Sequence, residues 1–239
     1  MTKYIQRHSL RTRITHDVAV ICCLLLTVTG LFVLVPGLNN WAGADAAYSI
    51  RWAHRIIAIP FIVIPVLSMI CSPKGAAHLF GSNIFGKWDK DDVVFASRFV
   101  PYLFAPGKVH MPPQREVKGA QRMADGAMLF CCIFLALSGL VLWLHTGLLP
   151  GGEWQVTMSQ GVRMTARVVH DVSFLLLIVF GLGHMYLGGG IFPPYRGTWN
   201  LMFGNGRVSE ADAAYHWGYW ANNEIASGRN VIVQEDGKK

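Results

Sequence analysis

Four apolar runs of about twenty residues each constrain this chain more than any other feature of its sequence. They extend roughly from Val18 to Leu38, from Trp52 to Cys71, from Ala124 to Leu144 and from Val168 to Phe192. A backbone crossing hydrocarbon must satisfy its own amides and carbonyls, and a single apolar run of this length does so as a helix. The sequence therefore predicts an all-α fold, an integral membrane four-helix bundle. Pro60 and Pro65 fall inside the second run, where neighbouring helices can tolerate a kink. Of the 239 residues, 52% are hydrophobic and only 15% charged, too apolar for an ordinary soluble domain. The formal net charge of +7 raises nucleic acid as a partner. The basic residues flank the apolar runs rather than gathering on one face, so membrane lipid is expected and nucleic acid is not.

Those flanking charges orient the chain. The N-terminal arm carries Lys3, Arg7, Arg11 and Arg13, and the connection after the first run carries none. The connection from Ser72 to Met123 carries Lys74, Lys87, Lys90, Arg98, Lys108, Arg115, Lys118 and Arg122. The stretch from His145 to Arg167 carries only Arg163 and Arg167, and the tail carries Arg196, Arg207, Arg229, Lys238 and Lys239. The bias predicts cytoplasmic termini, a cytoplasmic loop at about 73–121 and two short external connections. The chain then divides into a membrane domain over 1–200 and a cytoplasmic tail over 201–239. No cleavable signal peptide is expected, because the apolar run after the basic arm is long and lacks a small-residue cleavage site. The stretch DDVVFASRFVPYLFAP, interrupted by Pro101, reads as a short helix at the interface. Cys22, Cys23, Cys71, Cys131 and Cys132 lie in the apolar runs without a CxxC spacing and read as packing residues.

Histidine inside an apolar run is costly and marks function. His170 and His184 stand fourteen residues apart in ARVVHDVSFLLLIVFGLGHMYLGG. At about 100° and about 1.5 Å per residue they share nearly one helix face, offset by about 40°, with about 21 Å between them. One imidazole thus sits near each side of the membrane. The predicted topology places His16 near the cytoplasmic side with His184, and His54 near the outer side with His170. Each pair could close both axial positions of one haem iron, giving two b-type haems between the helices that carry electrons rather than activate small molecules. His145 is the rival outer ligand, and a proton relay is the competing use of His170 and His184. His8, His78, His110 and His216 lie in polar segments and are expected to face solvent or a partner.

Arginines accompany the candidate ligands: Arg11 and Arg13 near His16, Arg51 and Arg55 around His54, and Arg167 before His170. Arg51 and Arg167, on the charge-poor outer side, are candidate propionate partners, although snorkelling explains arginine at an interface equally well. A faint echo links the first and third runs, LLLTVTGLFVL and FLALSGLVLWL, each with a late glycine. Small residues there would let a helix or a flat macrocycle approach.

These residues resemble a known family. The segment from His16 to Gly30, RWAHRIIAIPFIV, GAQRMADGAMLFCCIFLALSGLVLW and ARVVHDVSFLLLIVFGLGHMYLG are similar to the cytochrome b (gamma) subunit of membrane-bound formate dehydrogenase. That subunit falls within a wider group with the cytochrome b of nickel–iron hydrogenases, and the likeness covers roughly residues 10 to 210. The resemblance implies the same pairing, His54 with His170 and His16 with His184, in a bacterial cytoplasmic (inner) membrane. It implies electrons arriving from a periplasmic molybdenum or tungsten catalytic subunit through an iron–sulfur subunit. They leave to menaquinone or ubiquinone near the cytoplasmic haem, with His184 ligating iron and touching the quinone. A multimer of a heterotrimer is also implied. The family's polar motif beside the quinone, Asn-Ala-Gly-Gln-Lys, reads Lys118-Gly119-Ala120-Gln121-Arg122 here, so Gln121 is kept, Lys118 stands at the Asn position, and both are implied as quinone-pocket residues. A hydrogenase cytochrome b, a haem-free transporter or proton channel, and a plain membrane anchor are the competing readings. The chain carries no substrate-oxidising motif of its own.

Overall fold

The computed structural model describes residues 2–234, so Lys238 and Lys239 of the tail lie outside the described residues. The described residues are mostly helical, and among them four helices are long and apolar enough to cross a membrane. These are α1 (Leu10–Leu34), α3 (Ala44–Cys71), α6 (Gly119–Thr146) and α7 (Gln160–Gly188), with the short α2 (Pro36–Ala42) and α4 (Pro73–Ala77) between them and α5 (Lys90–Phe104) in the middle loop. The tail adds α8 (Trp199–Phe203), α9 (Glu210–His216) and α10 (Gly218–Ser227).

The four spans exist where expected, and their ends differ. α1 stops at Leu34 rather than Leu38 because Pro36, which has no amide hydrogen, starts α2 instead of continuing the helix. α3 begins at Ala44 instead of Trp52, α6 at Gly119 instead of Ala124, and α7 at Gln160 instead of Val168. Apolarity marks the part of a helix that lies in lipid, whereas backbone hydrogen bonding continues into polar flanks. α7 ends at Gly188, before Phe192, in a glycine-rich turn where Gly190 has a φ of +70°. Pro60 and Pro65 remain inside an unbroken α3.

One feature departs from the all-α expectation. β1 (Thr2–Gln6) lies between β2 (Arg207–Ser209) and β3 (Val231–Gln234) in an antiparallel sheet. Ile5, wholly buried, joins Leu201, Val208, Ala213, Trp217 and Ala221 in a small core. The chain forms two compact units. Among the described residues, one combines 2–14, 69–126 and 182–234, and the other holds 15–68 and 127–181, the central parts of the spans. In the first unit, Asp89 caps α5 by accepting from the Asp92 amide (2.8 Å), and its own amide donates to the Asp92 carboxylate (3.1 Å). Asp92 is buried, and its carboxylate lies 3.8 Å from the equally buried Arg122 guanidinium.

Candidate functional site

Within the second unit, His54 on α3 and His170 on α7 confront one another, with ring centroids 6.4 Å apart and planes inclined by 66°. Each ring is held from behind by a neighbouring helix. Thr29 Oγ1 on α1 lies 2.8 Å from His54 Nδ1, and Ser138 Oγ on α6 lies 3.0 Å from His170 Nδ1. Both hydroxyls also donate back to their own helix, Thr29 to the Leu25 carbonyl at 2.8 Å and Ser138 to the Phe134 carbonyl at 2.5 Å. A hydroxyl has one hydrogen, so a hydroxyl that donates to a carbonyl can only accept from the imidazole. Nδ1 of each ring therefore carries the proton, and Nε2 keeps its lone pair. The residue after each hydroxyl is a glycine facing the same ring. A Cβ on Gly30 would stand 3.4 Å from His54 Cε1, and one on Gly139 would stand 3.1 Å from His170 Cε1. The echo between LLLTVTGLFVL and FLALSGLVLWL is thus a repeated hydroxyl–glycine seat for a histidine.

Around this pair the arginines are variously engaged. Arg51 lines a small cavity with Tyr48, Trp52, Arg55, Thr146 and Gly152. Arg55 donates to Thr146 Oγ1 at 2.8 Å, with its guanidinium 4.8 Å from the Trp52 ring centre. Arg167 lies 3.9 Å from Asp171, one turn along its helix. His145, the rival ligand, is turned elsewhere: its Nε2 lies 3.3 Å from Arg163 Nη1 and its Nδ1 lies 3.4 Å from the Val156 carbonyl. His16, in the same unit, has Nδ1 3.7 Å from Asp17 Oδ1.

The other candidates belong to the first unit. His184 Nδ1 lies 3.8 Å from Asp125 Oδ1, and the other oxygen of Asp125 accepts from Gln121 Nε2 at 3.0 Å. Sequence reasoning did not single out Asp125, although an acidic residue in an apolar run, one turn from Gln121, is a signal that could have found it. A Cβ on Gly188 would come within 3.7 Å of His184 Nε2, so this ring too passes a glycine. Arg11 and Arg13 donate to the carbonyls of Cys71 and Gly204.

Lys118, three residues before Gln121, is 3% exposed. Its Nζ lies 3.8 Å from the Tyr195 ring centre, 5.1 Å from that of Trp217, and 3.3 Å from His216 Nδ1. Burial drives the Lys118 amine well below its ordinary range, and the Arg7 charge adds to this. His216 was expected to face solvent or a partner but is 7% exposed, enclosed by Tyr195, Tyr215, Trp217 and Lys118. Burial first, and then the Lys118 and Arg7 charges, push it down to about 3. A tail with three helices and a small core shared with Ile5 can bury a polar-segment histidine. His78 pairs with Glu116 at 2.9 Å, and His110 is exposed.

Among the described residues, no cluster of three or more His, Cys, Asp or Glu side chains is arranged to hold a bare metal ion. A facing pair of imidazoles would suit the iron of a haem, whose porphyrin supplies the remaining nitrogen ligands. Two imidazoles that share one metal atom need room for that atom between their rings, with metal–nitrogen bonds of about 2.0 Å. The 6.4 Å separation of His54 and His170 fits that requirement. No curated protein matches the chain. The sequence profile described as prokaryotic cytochrome b561 matches residues 7–205.

Proposed function

The chain belongs to the prokaryotic cytochrome b561 family, and on that premise we propose that it is the di-haem electron-carrying subunit of a quinone-linked respiratory complex. Membership makes it a membrane cytochrome b of electron transfer that binds b-type haem. The finer reading assigns His54 and His170 to one haem near the outer surface and His16 and His184 to a second near the cytoplasm. The observation that carries it is the His54–His170 pair, with both Nδ1 atoms committed to hydroxyls and a centroid separation suited to one iron between them. His54 and His170 would hold the haem, which would supply one-electron transfer when bound.

The protein's own residues fix what that chemistry can reach. Thr29 and Ser138 set the tautomer of the outer pair, and Gly30 and Gly139 leave room for the rings. Arg51 and Arg167 are the cations proposed to meet the propionates, Arg51 from the cavity beside Trp52. Gln121, joined to His184 through Asp125, is proposed to meet the quinone headgroup. Lys118, three residues before Gln121 and just ahead of α6, has its amine in the aromatic cage and is proposed to complete the polar end of that pocket. Reduction of a quinone takes two electrons and two protons, and cytoplasmic protons would complete the quinol there. Both ends of the chain are proposed to be cytoplasmic, in the inner membrane. The sheet joining β1 to β2 and β3 supports placing them on one side.

The proposed donor is an iron–sulfur subunit coupled to a periplasmic molybdenum or tungsten formate dehydrogenase module, assembled as a multimer of heterotrimers. The test has two parts. The purified protein should contain two b haems per chain with low-spin optical bands, and His54→Ala or His170→Ala should remove one of them. A protein without haem bands would be a transporter or anchor, and a protein keeping both haems after His54→Ala would refute the assigned pair. The subunits that copurify decide between a formate dehydrogenase and a nickel–iron hydrogenase as donor.

A further inference from the structure

Helix α5 carries two apolar faces. Asp92, Phe95 and Tyr102 are buried, and at about 100° per residue Phe95 and Tyr102 fall opposite Val93. Val93, Val100 and Phe104 fall within about 40° of one another on that second side. All three are exposed, Phe104 by 85%. Trp88, also exposed, precedes them and lines a groove with Lys90, Val93 and Val94. An apolar stripe left in the open marks an interaction surface.

Both ends of α5 are fastened to spans, and every contact lies within the first unit. At the start, the Asp92 carboxylate lies 3.8 Å from Arg122 in the first turn of α6, and Gly119 packs against the Asp92 carbonyl. The apolar run of α6 begins at Ala124, about 7.5 Å further along the helix than Gly119. Near the other end, Tyr102 meets Phe192 edge-on, with ring centroids 5.4 Å apart. Phe192 in turn lies 5.8 Å from Tyr186 in the last turn of α7. α5 therefore runs from the end of one span to the end of another. Its acidic groups are engaged by the chain: Asp89 with Arg115 at 2.9 Å, Asp91 with the Tyr219 hydroxyl at 2.7 Å, and Asp92 with Arg122. Lys87, Lys90 and Lys108, before and after the stripe, are exposed.

We propose that α5 is an interfacial helix that binds the anionic phospholipid surface of the membrane its neighbours span. Trp88, Val93, Val100 and Phe104 enter the acyl boundary, and Lys87, Lys90 and Lys108 meet the phosphates. A tryptophan at the head of the stripe suits the boundary between headgroups and hydrocarbon. Suspension between two span ends is what favours lipid over a protein partner. The inference rests on the membrane assignment and not on haem.

The experiment places a photocrosslinking side chain on the stripe, Phe104→benzoylphenylalanine, in the full-length protein reconstituted into mixed vesicles of phosphatidylglycerol and phosphatidylcholine. Irradiation should join position 104 to phospholipid, read as lipid mass on the peptide. Phosphatidylglycerol should be captured about fivefold over its share of the mixture, the preference one surface lysine supplies. Lys87→Gln combined with Lys90→Gln should lower that preference while lipid adducts persist. Joining to a second copy of the chain or to a copurifying subunit would overturn the proposal, as would a peptide without lipid. Equal capture of the two lipids by the parent would refute the anionic preference. If the variant at 104 does not assemble, Val100→benzoylphenylalanine carries the same test with the same outcomes.

Discussion

Gly139 is the tighter of the two glycines facing a histidine ring in the membrane-spanning unit, and that difference has a measurable consequence. A methyl group at Gly139 would stand 3.1 Å from His170 Cε1, closer than ordinary packing, whereas at Gly30 it would meet His54 Cε1 at 3.4 Å. His170 is fixed at Nδ1 by Ser138, so it can yield only by turning or by stretching that bond. Gly139→Ala should cost about 1–3 kcal/mol as overpacking and change the haem signature read by electron paramagnetic resonance. Gly30→Ala should leave that signature nearly intact, and equal effects would contradict the seat described for each ring. The hydroxyls give a second prediction. Thr29→Val and Ser138→Ala each remove an Nδ1 partner while keeping the fold, and each should weaken haem retention by about tenfold or more, measured as haem loss on dilution into detergent. The histidines were legible in the sequence because a titratable ring in an apolar run is conspicuous. The hydroxyl–glycine seats were legible only as an unexplained echo. Nothing in local sequence says that a serine on one helix meets a histidine thirty-two positions later.

At the scale of elements, hydropathy located every span but not its ends. The window that reads lipid exposure loses sight of a helix when the chain becomes polar, yet α3 and α7 each begin eight residues before the apolar run does. Proline and glycine, by contrast, placed the far ends of α1 and α7 for local steric reasons, which makes the discrepancies there short. The junction of α5 and α6 was invisible for a different reason. Gly119, the first residue of α6, lies so close to the first turn of α5 that a Cβ would be driven into the Asp92 carbonyl. Its amide also donates to Gln114 Oε1 at 3.2 Å. Gly119→Ala should therefore separate the start of α6 from α5 and strain the buried Asp92–Arg122 pair, at about 1–3 kcal/mol. Faster limited proteolysis in the loop before residue 119 would show it, and an unchanged cleavage rate would argue against this contact.

At the scale of the whole molecule, the first unit is assembled from three stretches far apart in sequence, within residues 2–14, 69–126 and 182–234. Its strands are three to five residues long, too short to display an alternation, and β1 pairs with residues about two hundred positions away. Residues that served as orienting charges in the sequence turn out to be structural. The Arg7 guanidinium lies against both Trp217 and Trp220, with its carbon centre 4.0 and 4.6 Å from the two ring centres, and Lys118 sits in the neighbouring cage. This makes the unit sensitive to acid in a direction that can be worked out. His216 is held at about 3 in the folded chain against an ordinary value of 6.5. Between those values the unfolded tail binds a proton that the folded tail refuses, so stability rises with pH across the interval. The contribution is complete above pH 6.5 and is lost as the pH falls from there towards 3. Lys118 acts in the same sense at higher pH, because its lowered value leaves the unfolded amine protonated where the folded one is not. Hydrogen exchange of amides in 207–230 should therefore accelerate as the pH drops below 6.5, beyond the intrinsic chemical dependence, with a slope approaching one proton. His216→Gln keeps a polar side chain in the cage but removes the titration, and it should flatten that slope. A variant that opens with the same acid dependence as the parent would show that the proton is taken up elsewhere.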